Sequence, residues 1–321
     1  RGRRGASEAG WLVRGKRGCV SQRAAPDAGR DCRAGGTGVI RAMNMMRKPA
    51  FSLPRGACDT HVHIWGPFDR FPVAKGAPYT PPERTRDDLV ALHERLGVDR
   101  AVIVQTTVYK SDNRAMLDGI ARSGGRWRGV ALIDEHFTDA DFLSLHEGGV
   151  RGVRFGFVKH LGGVPDLALV RRTAARIAPM GWHLVLHLDA GNIPEFIDFF
   201  GELSLPVVVD HMGRVPVRDG LDQPPFRILL DLLKRPNWWV KVSGAERISE
   251  TGPPFADAIP FAQRLIEAAP GRVLWGTDWP HPNVRWEPDE ADLVDLLPSF
   301  AGAAALHKVL VDNPARLYGF S

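Results

Sequence analysis

Two histidines separated by one residue, His61-Val62-His63, close a short apolar run, and comparable placements recur along the chain. His187 ends another such run, Asp210-His211 a third, and Asp278 a last one, with His281 and Asn283 just behind it. Arg154 lies near the end of a further run, and Ser243 and Arg247 follow yet another. Imidazole and carboxylate are the side chains of proton transfer and of stabilising charge on an oxygen. Residues two apart on a strand point to the same face, so His61 and His63 can address one point. Of the eleven histidines, six (61, 63, 160, 187, 211 and 281) fall at or just after the ends of apolar runs, where histidines of purely structural use have no reason to gather. His93, His136, His146, His183 and His307 fall in helical stretches, loops or at a strand start, and read as packing or surface residues.

These positions must be held by regular elements. Continuous, often β-branched apolar runs predict strands over 57–64, 100–107, 127–133, 150–157, 183–189, 206–213, 238–244 and 273–280, the pattern of strands buried on both faces. Amphipathic stretches predict helices over 87–96, 113–123, 138–147, 166–179, 193–202, 224–234, 257–268 and 289–300. Thr138 and Asp141 have the spacing of a capping box, and Gly97, Gly124, Gly148 and Gly181 stand where helices should stop. Eight strand–helix units in about 265 residues match a closed (β/α)8 barrel, an α/β TIM barrel whose functional groups gather at the C-terminal strand ends. An open doubly wound sheet is the alternative. Its dinucleotide-binding form lacks a GxGxxG after the first strand.

Of 42 basic and 37 acidic side chains, 12 and 3 fall within residues 1–50, so the remainder carries 30 against 34. The net charge of +5 therefore belongs to the first fifty residues, and a mildly acidic body gives no argument for a nucleic-acid partner. Residues 1–50, with nine Gly, one aromatic (Trp11) and no apolar periodicity, read as a disordered basic tail ahead of a single barrel domain, 51–321. Met43, Met45 and Met46 suggest that translation naturally starts there; an Arg-rich targeting peptide is the alternative, though without an apolar signal core. No stretch approaches the roughly 18 apolar residues of a membrane span. Three cysteines without a CxxC pair suggest a reducing, cytoplasmic compartment. Nothing in the periodicity sets an oligomeric state.

HxH on the first strand with Gly-Thr-Asp on the last resembles the amidohydrolase superfamily. The segments CDTHVHIWGP, Tyr79-Thr-Pro, VQTTVYKSDNRAM, GVRGVRF, VVDHMGR, KVSGAER, VLWGTDWPHPN and VDNPARLY closely resemble its 2-pyrone-4,6-dicarboxylate lactonase branch, from about residue 52 to the C-terminus. The resemblance implies a hydrolase that opens an anionic, carboxylated or sulfonated lactone with water, in aromatic-compound degradation. It makes Asp278 the general base and places His61, His63 and His211 on the lactone carbonyl. Arg154, Arg214 and Arg247 fall on positions that bind or surround substrate carboxylates, and Tyr79, Thr107 and Asn283 on other substrate contacts.

Two departures qualify it. His160 stands where the lactonases have an arginine past strand 4, exchanging a permanent cation for a pH-dependent one beside Lys159. His187 stands where they have a tyrosine. The lactonases resemble metal-free members of a largely metal-dependent superfamily; His61, His63, His187 and Asp278 would form a three-His, one-carboxylate shell suited to a single Zn²⁺, with His211 beside it. Two readings follow: no cofactor, with His187 donating the tyrosine's hydrogen bond, or one zinc. A 4-sulfomuconolactone-type zinc hydrolase and a superfamily non-oxidative decarboxylase are the alternatives within the family, and a non-catalytic binding protein the alternative outside it.

Overall fold

The computed structural model describes residues 47–158 and 163–321. Eight strands, β1 (Cys58–Val62), β2 (Arg100–Val104), β3 (Trp127–Ala131), β4 (Val150–Phe157), β5 (His183–Leu188), β6 (Val207–Val209), β7 (Trp238–Lys241) and β8 (Val273–Leu274), form one parallel sheet in chain order. The segment after β8 returns to β1. Thr60 N–H donates to Trp275 O (3.0 Å), Asp278 N–H to His61 O (2.8 Å) and His63 N–H to Trp279 O (2.8 Å), which closes the barrel. The expected (β/α)8 architecture is the one observed. Among the described residues no helix is long and apolar enough to cross a membrane.

Strand alternation sorts side chains into two apolar layers. Ala101, Ile103, Leu184, Leu186, Val207, Val209 and Val240 join a cluster that includes helical Leu89, Met116, Val170, Phe226 and Leu265, so they face outward onto the helices. Val102, Val104, Val130, Val185, Val208, Trp239 and Leu274 form a second cluster, closed at one end by Leu317, Tyr318 and Phe320 of the C-terminal segment, and so fill the barrel. The same parity carries Arg154, His187, Asp210 and Lys241 to the interior. β1 breaks its parity. Cys58 faces the interior cluster and Val62 the outer one, and the register shifts between Asp59 and Val62. A bulge of this kind re-aims the side chains beyond it, and here it turns both His61 and His63 inward.

All eight expected strands and helices are present, with shorter ladders at the polar strand ends. The expected strand 206–213 stops at Val209, and His211–Arg214 forms a tight turn with Met212 and Gly213 in left-handed backbone. The helix over 193–202 is split at Phe196 and that over 289–300 at Leu296. A short helix Ala245–Ile248 after β7, and the helical stretch Ala303–Tyr318, have no counterpart in the sequence-based expectation. Thr138 and Asp141 do form the capping box: Asp141 Oδ2 accepts from Thr138 N–H (2.8 Å) and Thr138 Oγ1 from Asp141 N–H (3.3 Å). Of the tail expected over 1–50, residues 1–46 lie outside the described residues, and Arg47 pairs with Asp292 and Asp295.

Candidate active site

The C-terminal strand ends converge on a narrow pocket with a cavity volume of about 40 Å³. Its lining includes His63, His211 and Asp278, the guanidinium groups of Arg154, Arg214 and Arg247, and Tyr79, Thr107, His187 and Asn283. His61 lies directly beneath. Every expected site residue is thus brought together except His160, which lies outside the described residues.

The turns that present these groups are strained. His211, Arg214, Asp278, His281 and Asn283 all have φ between 50° and 65°, left-handed backbone that non-glycine residues seldom adopt. Such conformations persist where the surrounding structure fixes them, and they collect at functional sites. Hydrogen bonds do the fixing for Asp278, whose N–H donates to His61 O while its carbonyl accepts from His281 N–H (2.8 Å).

Asp278 is the centre. Its Oδ1 lies 3.5 Å from His61 Nε2, 3.3 Å from His63 Nε2 and 3.8 Å from His211 Nε2. Its Oδ2 accepts from Arg247, whose two terminal nitrogens also donate to Pro282 O (3.2 and 3.1 Å). Burial raises the carboxyl pKa, but Arg247 together with His211, His63 and His61 outweighs it and holds Asp278 well below the usual carboxylate range. Burial, reinforced by Lys241, brings His61 down to about 3, so its imidazole is neutral. Burial likewise keeps His187 and His211 far below 6.5.

Donor and acceptor roles follow from the partners. His63 Nδ1 lies 2.8 Å from the Val104 carbonyl, which can only accept, so in a neutral ring Nε2 carries the lone pair and faces the Asp278 carboxylate. Lys241, fully buried on β7, places Nζ 3.1 Å from His61 Nδ1 and 3.1 Å from Asp210 Oδ1. Asp210 also accepts from Arg154 Nε (3.1 Å). Burial would raise its pKa, but Lys241, His61 and Arg154 hold it well below the usual range. His211 Nδ1 meets Ser243 Oγ at 3.0 Å.

Lys241 and the interior placement of Asp210 escaped the sequence reading. A charged residue inside the apolar run Trp238-Trp-Val-Lys241, in phase with the inward side chains, is the signal that could have found the lysine.

The ligand-bearing atoms of His61, His63 and Asp278 lie within 4.8 Å of one another, and two overlapping groups, His61-Asp210-His211 and Glu246-Asp278-His281, share members with them. His61 Nε2 and Asp278 Oδ1 are buried without a hydrogen-bond partner. In the neutral ring, His63 Nε2 and Asp278 Oδ1 are two lone-pair atoms facing each other at 3.3 Å. Such an arrangement suits a cation between them, so the donor set fits a metal ion. The expected fourth ligand, His187, stands apart from these groups. It joins no such group, because its Nε2 is turned to Arg214 Nη1 at 3.1 Å and its lone pair is engaged there.

The family model described as Amidohydrolase matches residues 58–320. The chain is 47% identical over 282 residues to a 2-pyrone-4,6-dicarboxylate hydrolase of Comamonas testosteroni, covering 84% of this chain and 92% of the relative. It is 41% identical over 275 residues to a 4-sulfomuconolactone hydrolase of Rhizobium radiobacter, covering 84% and 92%. A crystal structure of an Agrobacterium tumefaciens protein in its apo form superposes with a TM-score of 0.75 at 30% identity, covering 85% of this chain and 99% of that one. The matched span holds the closed barrel, the His-Val-His pair and the Asp278 turn alike, and the chain belongs to the amidohydrolase family.

Proposed function

We propose that this chain is a hydrolase that opens an anionic lactone by adding water. One observation carries the reading. Three guanidinium groups, Arg154, Arg214 and Arg247, face a pocket whose lining, among the described residues, holds one carboxylate, Asp278. Behind it Lys241 and Asp210 offset each other. The surplus of positive charge at the pocket, met only in part by the half-exposed Asp189 3.6 Å from Arg214, calls for an anionic substrate, as a dicarboxylate or a carboxylate with a sulfonate is. The names of the two relatives above fit that class.

Asp278 Oδ1, free of hydrogen bonds and ionised, takes a proton from water as the water oxygen bonds to the lactone carbonyl carbon. His61, accepting from Lys241 at Nδ1, and His211, accepting from Ser243, would each present Nε2–H to the carbonyl oxygen, where negative charge develops. His63 Nε2, held as an acceptor by Val104, orients the attacking water. When the ring C–O bond breaks, the proton on Asp278 passes to the departing oxygen, leaving a ring-opened acid with one more carboxylate. Arg154 and Arg214 hold the substrate's anionic groups.

A Zn²⁺ ion would be held by His61, His63 and Asp278, with His61 Nδ1–H turned to Asp210 Oδ1 at 3.3 Å, and would lower the pKa of a bound water toward 7.

The test offers the full chain 2-pyrone-4,6-dicarboxylate, 4-sulfomuconolactone and an uncharged ester of the former, following ring opening spectroscopically, with metal content measured before and after a chelator. Turnover of the anions with little of the ester is expected. Equal turnover of the ester, or CO2 release without ring opening, would overturn the reading.

A further inference from the structure

Behind Arg247 lies a row of buried ionisable groups that the reaction above does not use. Glu246, on the short helix Ala245–Ile248, is 1% exposed, and neither of its carboxylate oxygens has a hydrogen-bond partner. Its neighbours are cations instead: Arg247 Nε at 3.7 Å and His281 Nδ1 at 3.9 Å from Oε1. The other face of the His281 ring meets Glu290 Oε1 at 3.4 Å, and Glu290 Oε2 meets Arg95 Nη2 at 3.1 Å. The charges alternate from the pocket outward: Asp278, Arg247, Glu246, His281, Glu290, Arg95. A buried carboxylate without hydrogen bonds is costly, and it persists only if adjacent charge offsets its desolvation.

The alternation suits the reaction. When Asp278 takes up the proton of water, Arg247 loses its counter-charge while still enclosed. Without a second anion it would swing toward the substrate or the solvent, and the Asp278 side chain would lose the group that aims it. We infer that Glu246, neutralised in turn by His281 between the two glutamates, is a second counter-charge that holds Arg247 in place while Asp278 is protonated, so that Glu246 and His281 are positioning residues for the proton-transfer step. Glu290 and Arg95 end the row against the helix Arg86–Leu96. The inference rests on the lactonase reading, because it assigns the proton to Asp278.

The test is a double-variant cycle of Glu246→Gln, His281→Gln and their combination, read by kcat and KM on the lactone that the wild-type protein turns over and by thermal unfolding without substrate. Each single variant is expected to lose about tenfold in kcat with KM changed less than about threefold, and the double variant to lose less than the product of the two. The Tm loss of the double variant should likewise fall short of the summed single losses, since it removes both members of an opposed pair. Independent effects in both readouts, or lower Tm with unchanged kcat, would overturn the inference. A wild-type protein that opens no lactone would sink the reading of function instead, while coupling in Tm would still report the charge row.

Discussion

Nε2 of His187 lies 3.1 Å from Nη1 of Arg214. A guanidinium only donates, so the imidazole accepts and must be neutral there, in keeping with the burial and the neighbouring Arg154 that hold its pKa far below 6.5. Arg214 stands at the pocket wall with the Asp189 carboxylate 3.6 Å away. The histidine that the sequence offers as a fourth zinc ligand therefore faces Arg214 at the pocket wall in the folded chain.

Replacing His187 by Phe removes the acceptor and keeps the bulk. KM for the anionic lactone should rise about tenfold, the equivalent of one hydrogen bond, with kcat changed little. Any metal content per chain should match that of the wild type. A metal lost from the variant in elemental analysis would return His187 to the metal shell.

Asp278→Asn keeps the shape of the side chain and removes its basicity. Turnover should fall by about 10²–10⁴-fold, while circular dichroism and Tm report an intact barrel, because Arg247 retains Glu246 as counter-charge. Substantial residual activity in steady-state assays would exclude Asp278 as the base.

Stability should peak near neutral pH. His61 and His183, both buried and both lowered to about 3, bind fewer protons folded than unfolded below pH 6.5. Their contribution is full above 6.5 and is lost as pH falls from there toward 3. His281 behaves oppositely. Burial would lower its pKa, but Glu246 and Glu290 raise it to about 9, so its contribution is full below 6.5 and is lost as pH rises through 9. Thermal unfolding between pH 5 and 9 should give a Tm that drops on both sides of neutrality; a level Tm would contradict these assignments.

Gly276 has no room for a side chain. A Cβ there would stand 2.6 Å from His61 N and 2.9 Å from Asp59 Oδ1, both fixed in the β1 closure. Gly276→Ala should cost about 1–3 kcal/mol of stability and, by displacing His61, lower kcat as well. Chemical denaturation and kinetics on the same preparation would check both effects.

Much of the architecture was legible. The strand runs and the intervening amphipathic stretches contain local information, since burial on both faces forces continuous apolar composition and a helix on a barrel must keep one apolar stripe. Thr138 and Asp141 were readable for the same reason: a capping box spans only four residues. The split of the last expected helix at Leu296 and the helical stretch Ala303–Tyr318 were not readable. They depend on packing against neighbouring elements, as when Asn313 Nδ2 donates to Pro270 O and Val273 O across the barrel's end.

The sequence by itself determined the barrel, the pairing of His61 and His63 on one face, and the set of strand-end groups that a lactone pocket needs, because these follow from alternation and position along each strand; that the pair faces inward was decided by the bulge in β1. Only the tertiary structure decided which charges face which. Lys241 meets His61 across 180 positions of chain, Arg247 meets Asp278 across 31, and His187 turns to Arg214 rather than to the histidine pair. The reason is physical. Periodicity tells a side chain to point inward, whereas the partner it finds there depends on how the bulge in β1, the left-handed turns after β6 and β8 and barrel closure bring distant strand ends together.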